Sequence, residues 1–439
     1  MSNWQKVKIG DFLFERKGRY KPNDEQIVNL PRIEKIDFSG NFHIGNKDSK
    51  TDMILIKDGD LVISGINVAK GAMGIYSGED VTATIHYSSY TFDSNKINVE
   101  YFKRFLKSSE FIELLNEQVK GGIKTEIKPK HILPLEIQLP DINTQAQIVQ
   151  HFENVEDDIA DVTKEVLKQE SLLKKLKQTI LQEAIEGKLT AKYRAKNPDI
   201  GTAKKLLEQI KTEKEKLIKE KKIRPSKPLP PINEDEIPFD IPQNWEWCRL
   251  GDISFVGTGA TPLTSEPKYY NGDINWITSS ATGADFVTEA ETKITELALK
   301  ETNCQIYPIG TLVIAMYGQG KTRGQITELM IDSATNQACA AISIYLKDKA
   351  LNQFIKKYFQ KIYLEIRELA SGGAQPNLNM QKVKDTMIAL PPLEEQKEIV
   401  ATIEKLFAIC DELEGEINQN KTTVDNLMAT VLKEAFEQQ

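Results

Sequence analysis

The stretch Ile137-Gln138-Leu139-Pro140, followed by Gln145-x-x-Ile148-Val149, returns 251 residues later as Ile388-Ala389-Leu390-Pro391 followed by Gln396-x-x-Ile399-Val400. Each Leu-Pro closes a short apolar run and opens a long segment whose apolar residues are alternately four and three apart. In the first copy these are Ile148, Phe152, Val155, Ile159, Val162, Val166, Leu173, Leu176 and Ile180. In the second they are Ile399, Ile403, Leu406, Cys410, Leu413, Ile417, Val424, Leu427 and Val431, each 251 after its counterpart. That spacing lays the side chains on one stripe of a slightly underwound helix, the seam of a coiled coil. The one skipped position is polar in both copies, Gln169 and Asn420. At about 1.5 Å per residue, Thr144–Lys188 would form a rod of roughly 65 Å. The seams imply two helices paired within one chain, and the pattern alone leaves parallel and antiparallel pairing open.

Working outward, the same offset of 251 relates Gly59-Asp60-Leu61-Val62-Ile63 to Gly310-Thr311-Leu312-Val313-Ile314, and Gly121-Gly122 to Gly372-Gly373. Trp4-x-x-x-x-Ile9-Gly10-Asp11 returns as Trp245-x-x-x-x-Leu250-Gly251-Asp252, only 241 residues on. The ten-residue change in offset places a net insertion early in the second copy. The chain is a duplicated unit, each copy a globular part plus a helical tail, with a period far too long for a solenoid.

Between the copies, Gly187 is a helix stop. Thr202–Ile223 is a Lys/Glu-rich helical stretch, and Pro225, Pro228, Pro230, Pro231, Pro238 and Pro242 make a stiff extended linker. Its lysines are either phosphate contacts or a solvated connector. In the globular parts, Asp60–Ser64, Thr311–Ala315 and Ala340–Tyr345 read as buried strands. Tyr101–Val119 and Leu351–Leu369 read as amphipathic helices, each before a Gly-Gly pair.

Composition is that of a globular protein: 439 residues, 40% hydrophobic and 28% charged. No apolar run approaches the roughly 20 residues that span a bilayer. The first residues lack an apolar core, so no secretory leader is expected. Cys248, Cys304, Cys339 and Cys410 are far apart and outside any C-x-x-C, which suits reduced thiols and a cytoplasmic location. The net charge of -7 hides a basic Lys188–Lys227 and an acidic Glu394–Glu437. Charge acts within a Debye length of about 8 Å, so an acidic chain can still present a basic face.

Catalytic patterns are missing. Gly318-Gln319-Gly320-Lys321-Thr322 resembles the end of a phosphate-binding loop, but Ala315 stands where its first glycine belongs. The four histidines (His43, His86, His131, His151) have no metal-ligand spacing. There is no G-x-S-x-G, no defensible Cys-His arrangement and no Asn-Pro-Pro-aromatic stretch. No cofactor and no metal are expected. Lys321 and Arg323 on a glycine-rich loop suit a polyanion such as DNA.

These parts resemble the specificity (S) subunit of Type I restriction–modification systems over nearly the whole chain. The most telling stretches are Ala315–Gly324 (AMYGQGKTRG), Ala334–Ile342 (ATNQACAAI), Gly372–Asn379 (GGAQPNLN) and Leu390–Gln396 (LPPLEEQ). Glu186–Ala191 through Ile237-Pro238-Phe239 and Trp245 is similar to that family's central crossover. The first copy departs from it, with Ala83-Thr84-Ile85-His86 opposite Ala334-Thr335-Asn336-Gln337, and Lys124-Thr125-Glu126 opposite Gln375-Pro376-Asn377.

The resemblance implies an α+β fold: two tandem mixed α/β target-recognition domains separated by two long antiparallel coiled-coil helices, pseudo-twofold within one chain. The expected boundaries are a first recognition domain at 1–140, a first spacer helix at 141–188 and a basic, Pro-rich connector at 189–240. A second recognition domain follows at 241–391 and a second spacer helix at 392–439. It implies a non-catalytic DNA-binding subunit whose domains each read half of a bipartite asymmetric site. Partners would be double-stranded DNA, two modification (methyltransferase) subunits docked on the helices, and ATP-dependent restriction subunits; no membrane is involved. Arg, Lys, Asn and Gln on loops are the expected base readers. In the first domain the candidates are Arg16, Lys17, Arg19, Lys70, His86 and Lys124. In the second they are Lys268, Tyr269, Lys321, Arg323, Asn336 and Gln337. Asn336 and Gln337 could equally cap a turn, and His86 could be a packed core histidine. The competing classes are an enzyme acting alone and a coiled-coil adaptor that binds no DNA.

Overall fold

Leu61-Val62-Ile63-Ser64 and Leu312-Val313-Ile314-Ala315 are buried along their whole length and form the central strand of each globular part. An unbroken apolar run is what a strand covered on both faces requires. The structure is a computed structural model that describes residues 4–45, 49–67, 70–118, 126–318, 321–371 and 378–437. By its contacts the chain divides into two units, Met1–Lys168 with Ile417–Gln439, and Gln169–Glu416. These units differ from the expected domains in that each long helix contributes to both.

Unit 1 contains β1 (Gln5–Lys8), β2 (Leu13–Glu15), β3 (Arg32–Ile36), β4 (Phe42–Gly45), β5 (Met53–Ile56), β6 (Leu61–Ser64), β7 (Met73–Ile75), β8 (Val81–Thr84), β9 (Tyr87–Phe92) and β10 (Glu136–Leu139). Its helices are α1 (Val99–Phe105), α2 (Ser109–Gln118), α3 (Pro129–Ile132) and the first part of α4 (Ile142–Ile185). Two sheets, in order β2-β9-β6-β7 and β4-β3-β8-β5, stand beside the antiparallel pair β1-β10. The helix expected from Tyr101 is broken in two. The Ser108 hydroxyl donates to the Phe105 carbonyl and accepts from the Phe111 amide, so a side chain replaces the backbone ladder there.

Unit 2 contains α5 (Ala191–Lys196), α6 (Ala203–Lys219), β11 (Glu246–Arg249), α7 (Leu250–Ile253), β12 (Ser254–Thr258), β13 (Tyr270–Ile277), β14 (Phe286–Val287) and β15 (Thr292–Ile294). Then come α8 (Glu296–Glu301), β16 (Ile306–Tyr307), β17 (Leu312–Ala315), β18 (Ile326–Leu329), β19 (Ser333–Thr335), β20 (Cys339–Ile344), α9 (Lys349–Ser371), α10 (Met380–Asp385), β21 (Met387–Leu390) and the first part of α11 (Leu393–Glu437). The sheets run β12-β20-β17-β18-β14 and β15-β13-β19-β16, beside the pair β11-β21.

The duplication therefore holds strand for strand. The order β2-β9-β6-β7 is repeated by β12-β20-β17-β18, and β4-β3-β8-β5 by β15-β13-β19-β16. Even the parallel pairing of β3 with β8 returns as β13 with β19. The insertion lies between β13 and β15, where the chain adds the edge strand β14; the equivalent β3 and β4 are joined by a short turn.

The two long helices run antiparallel. In unit 2 the Lys177 ammonium reaches Asp411 (2.9 Å) and Glu414 (2.7 Å), while Thr190, beyond the end of α4, meets Glu395 at the start of α11. In unit 1, Val431 packs on the core that contains Val149 and Phe152. The seams are only partly covered. Phe152, Val166, Leu173 and Ile180 are buried on α4, as are Ile399, Ile403, Cys410 and Ile417 on α11, whereas Val162, Leu176, Leu413 and Leu427 are exposed. No described helix is long and apolar enough to cross a membrane.

Candidate nucleic-acid interface

In each unit the loop after the central strand is hydrogen-bonded to the turn that precedes the ninth or twentieth strand. In unit 2 the Met316 amide donates to the Ala338 carbonyl (2.8 Å), and in unit 1 the Gly65 amide donates to the His86 carbonyl (2.9 Å). This join brings the loop carrying Lys321 and Arg323 beside the turn carrying Asn336 and Gln337, and the loop carrying Lys70 beside His86. A third loop joins in unit 2. The Thr261 hydroxyl donates to Gln337 Oε1 (2.7 Å), and the Thr258 hydroxyl donates to the carbonyl of Cys339 (2.8 Å). Gly259 is needed there, because a Cβ would stand 1.6 Å from the Thr335 carbonyl oxygen.

The candidates fall into different environments. Gln337 is exposed. The Asn336 side chain accepts from the Ala338 amide (3.1 Å), so it caps its own turn. Lys321 is exposed, and its carbonyl accepts from the Tyr363 hydroxyl (3.0 Å), which pins the loop to α9. Arg323 is half-buried in the same loop. Lys268 pairs with Glu301 (3.0 Å) and lies over the Tyr269 ring; the Tyr269 ring is buried, and its hydroxyl donates to the same carboxylate (2.8 Å). Its phenol is held up by that bond. Tyr269 and Lys268 thus form a structural triad with Glu301 at the far end of the loop that carries Thr261, where the Tyr269 amide donates to the Glu266 carbonyl (3.2 Å).

In unit 1, Lys17 and Arg19 are exposed on the loop after β2. Arg16 is spent differently: Nε and Nη2 both donate to Asp60 at 2.6 Å. Asp60 is buried and also accepts from the Ser89 hydroxyl (2.6 Å) and the Lys57 amide (3.0 Å). The bonds to Asp60 raise the Arg16 guanidinium further above its ordinary value. In unit 2 the counterpart of Asp60 is Thr311, whose hydroxyl meets Ser343 (3.1 Å). Lys70 lies over the exposed Phe38 ring (5.8 Å to its centre). His86 is exposed rather than packed in the core, with Nδ1 3.0 Å from Glu126. Burial would raise the Glu126 carboxyl, but the bonds from His86 and Lys128 outweigh it and hold it below the usual range. Lys124 lies outside the described residues.

Sequence reasoning missed Glu126, Thr258, Thr261 and Phe38. Each meets its candidate across tens of residues of chain, and no local pattern marks them. Among the described residues, no three His, Cys, Asp or Glu side chains converge to hold a metal ion.

Residues 242–420 match the family model described as the Type I restriction modification DNA specificity domain. The chain is 28% identical over 265 residues to the EcoEI specificity subunit of Escherichia coli; that alignment covers 58% of this chain and 43%, under half, of the relative. It is 26% identical over 468 residues to the EcoAI specificity subunit of Escherichia coli, covering 91% of this chain and 77% of the relative. The fold is similar to the HsdS subunit from Thermoanaerobacter tengcongensis, with a TM-score of 0.59, 16% identity, and coverage of 99% of this chain and 97% of that one. A chain solved in work on complex assembly and conformational transition of the type I R-M system gives a TM-score of 0.65 at 15% identity, with the same coverage. Residues 242–420 thus carry the Type I restriction modification DNA specificity domain, and over most of its length the chain is similar to specificity subunits of Type I restriction enzymes.

Proposed function

We propose that this chain is the non-catalytic DNA-reading subunit of a Type I complex, each recognition domain reading one half of a bipartite, asymmetric target. Modification subunits, two in number, and ATP-dependent restriction subunits would carry out the chemistry, in the cytoplasm. One observation carries the reading. The two globular parts share strand order and loop joins, yet differ in the residues those loops present: Lys70 and His86 in one, Lys321, Asn336 and Gln337 in the other. A shared scaffold with unlike loops is the form expected of two readers of unlike half-sites.

Lys17, Arg19, Lys70, His86 and Lys124 are the proposed contacts of the first reader, and Lys321, Arg323, Asn336 and Gln337 of the second. Arg16, Lys268 and Tyr269 would act by holding loops. The test is to map methylated adenines in DNA modified by this chain with its modification subunits. A split motif is expected, and exchanging residues 241–391 for those of another family member should change one half only. A contiguous motif, or methyl transfer from labelled S-adenosylmethionine by the isolated chain, would overturn the proposal.

A further inference from the structure

Both copies carry the same small platform, made of a two-stranded pair (β1-β10 or β11-β21), the turn that follows its first strand and the start of a long helix. In unit 2 the connector covers it. The Ala203 amide donates to the Asn244 carbonyl (2.9 Å), and α6 lies on α7 with Ala203, Leu206 and Ile210 buried at helical spacing. Lys214 reaches over the Tyr345 ring (5.2 Å) in the stretch after β20. Leu229 closes on Gly251, where a Cβ would come within 2.9 Å of it. Arg249 donates to the carbonyls of Pro230 (2.9 Å) and Pro231 (3.4 Å).

In unit 1 the equivalent platform is an open groove of about 1000 Å³. Trp4, Val7 and Phe12 give it an apolar floor; Lys96, after β9, and Asp141, before α4, are on its rim. Trp4 is half-buried, whereas its counterpart Trp245 is buried. Asp11 and Asp141 put negative charge on the groove, and the Lys96 ammonium is engaged by the Asp11 carbonyl (3.2 Å) and the Asp93 carboxylate (3.8 Å). The helix that fills the matching place in unit 2 has the complementary composition, with six lysines against three glutamates beside its apolar stripe.

One difference decides how firmly the place is filled. In unit 2 a buried carboxylate, Glu395, locks the cover by accepting from Thr190, Arg194 and the Trp245 indole. Its counterpart in unit 1 is Thr144, and Arg249 is replaced by the exposed Lys8. The groove of unit 1 keeps the shape that takes a helix and lacks the lock that would hold it permanently.

We propose that the groove at Trp4 receives a basic amphipathic helix from a partner polypeptide, seated as α6 is seated on unit 2. This rests on the proposed function only in taking the partner to be another subunit of the complex.

The test uses the full chain. A labelled peptide with the sequence of residues 202–223 should bind saturably, read by fluorescence anisotropy. Gln5→Arg, at an exposed position on β1, should weaken that binding at least about tenfold while the thermal midpoint is retained; Trp4→Ala should weaken it similarly. A photo-crosslinker at Gln5 should, in the complex with purified modification subunit, label a basic helical segment of that subunit. Peptide that fails to bind, or binds Gln5→Arg unchanged, overturns the proposal, as does a crosslink to DNA or to a second copy of this chain. DNA binding is measured on the same complex. If it is intact and no crosslink forms, the groove proposal falls and the DNA-reading proposal stands; if DNA binding is absent but the crosslink forms, the reverse holds.

Discussion

Replacing Glu395 by alanine should release the connector from its platform by a calculable amount. The Glu395 side chain is 0% exposed. Its oxygens accept from the Thr190 hydroxyl (2.7 Å), the Trp245 indole N–H (2.9 Å), the Asn244 amide (3.4 Å) and the Arg194 guanidinium. Alanine leaves a largely buried guanidinium without its carboxylate, with only the Thr190 hydroxyl (3.3 Å) still accepting from it, and a buried indole N–H without an acceptor. Breaking a buried pair by removing one partner costs about 3–5 kcal/mol. At about 1.4 kcal/mol per decade, local opening becomes roughly a thousandfold more frequent. The readout is hydrogen exchange at the amides of Ala203 and Trp245, which donate to Asn244 and Pro242. Protection there should fall by about three decades, while amides of the β17 ladder keep theirs. Removing both charges, with Glu395→Leu and Arg194→Leu together, should restore part of the protection, since the stranded charge is gone while the Trp245 indole N–H still lacks its acceptor. A loss under about tenfold in Glu395→Ala, or no recovery in the double variant, would refute the role given to the charge.

Gln337→Ala should cost about 1–3 kcal/mol of discrimination at one position of one half-site, the usual value of a bidentate contact, and leave the other half unchanged; methylome mapping that shows both halves altered would count against it. Asp60→Ala strands the Arg16 guanidinium, so thermal melting should show a loss of about 3–5 kcal/mol confined to unit 1; a change within about 0.5 kcal/mol would mean the pair is not structural. Gly259→Ala should destabilise unit 2 and weaken DNA binding together, because its Cβ would overlap the Thr335 carbonyl; a variant with wild-type stability would show that the loop relaxes freely. Glu126 is held below its ordinary carboxyl value in the folded state. Its contribution is therefore present above the unfolded value of roughly 4.3 and lost as pH falls through the folded value. The Ile127 amide, bonded to the Gly65 carbonyl (2.8 Å), should lose protection only on the acid side; loss on raising the pH instead would contradict the sign.

Much of the architecture was legible in the chain. The offset of 251 announced two copies, the four-three spacing announced the long helices, and the change of offset located the insertion that became β14. These are local signals, carried by residues one helical turn or one strand apart, so periodicity alone reveals them. Sheet order and the antiparallel sense of the helices were not legible from pattern, since they depend on contacts such as Lys177 with Glu414 that neither segment encodes by itself. The same limit governed the interface. Residue type selected Arg16, Tyr269 and Lys321 alike as polyanion contacts. Only the fold distinguishes a guanidinium bound to buried Asp60 and a phenol bonded to Glu301 from an exposed lysine on a joined loop. A side chain's chemistry is fixed by its sequence, but its availability is fixed by what packs beside it, and that neighbour is often tens of residues away.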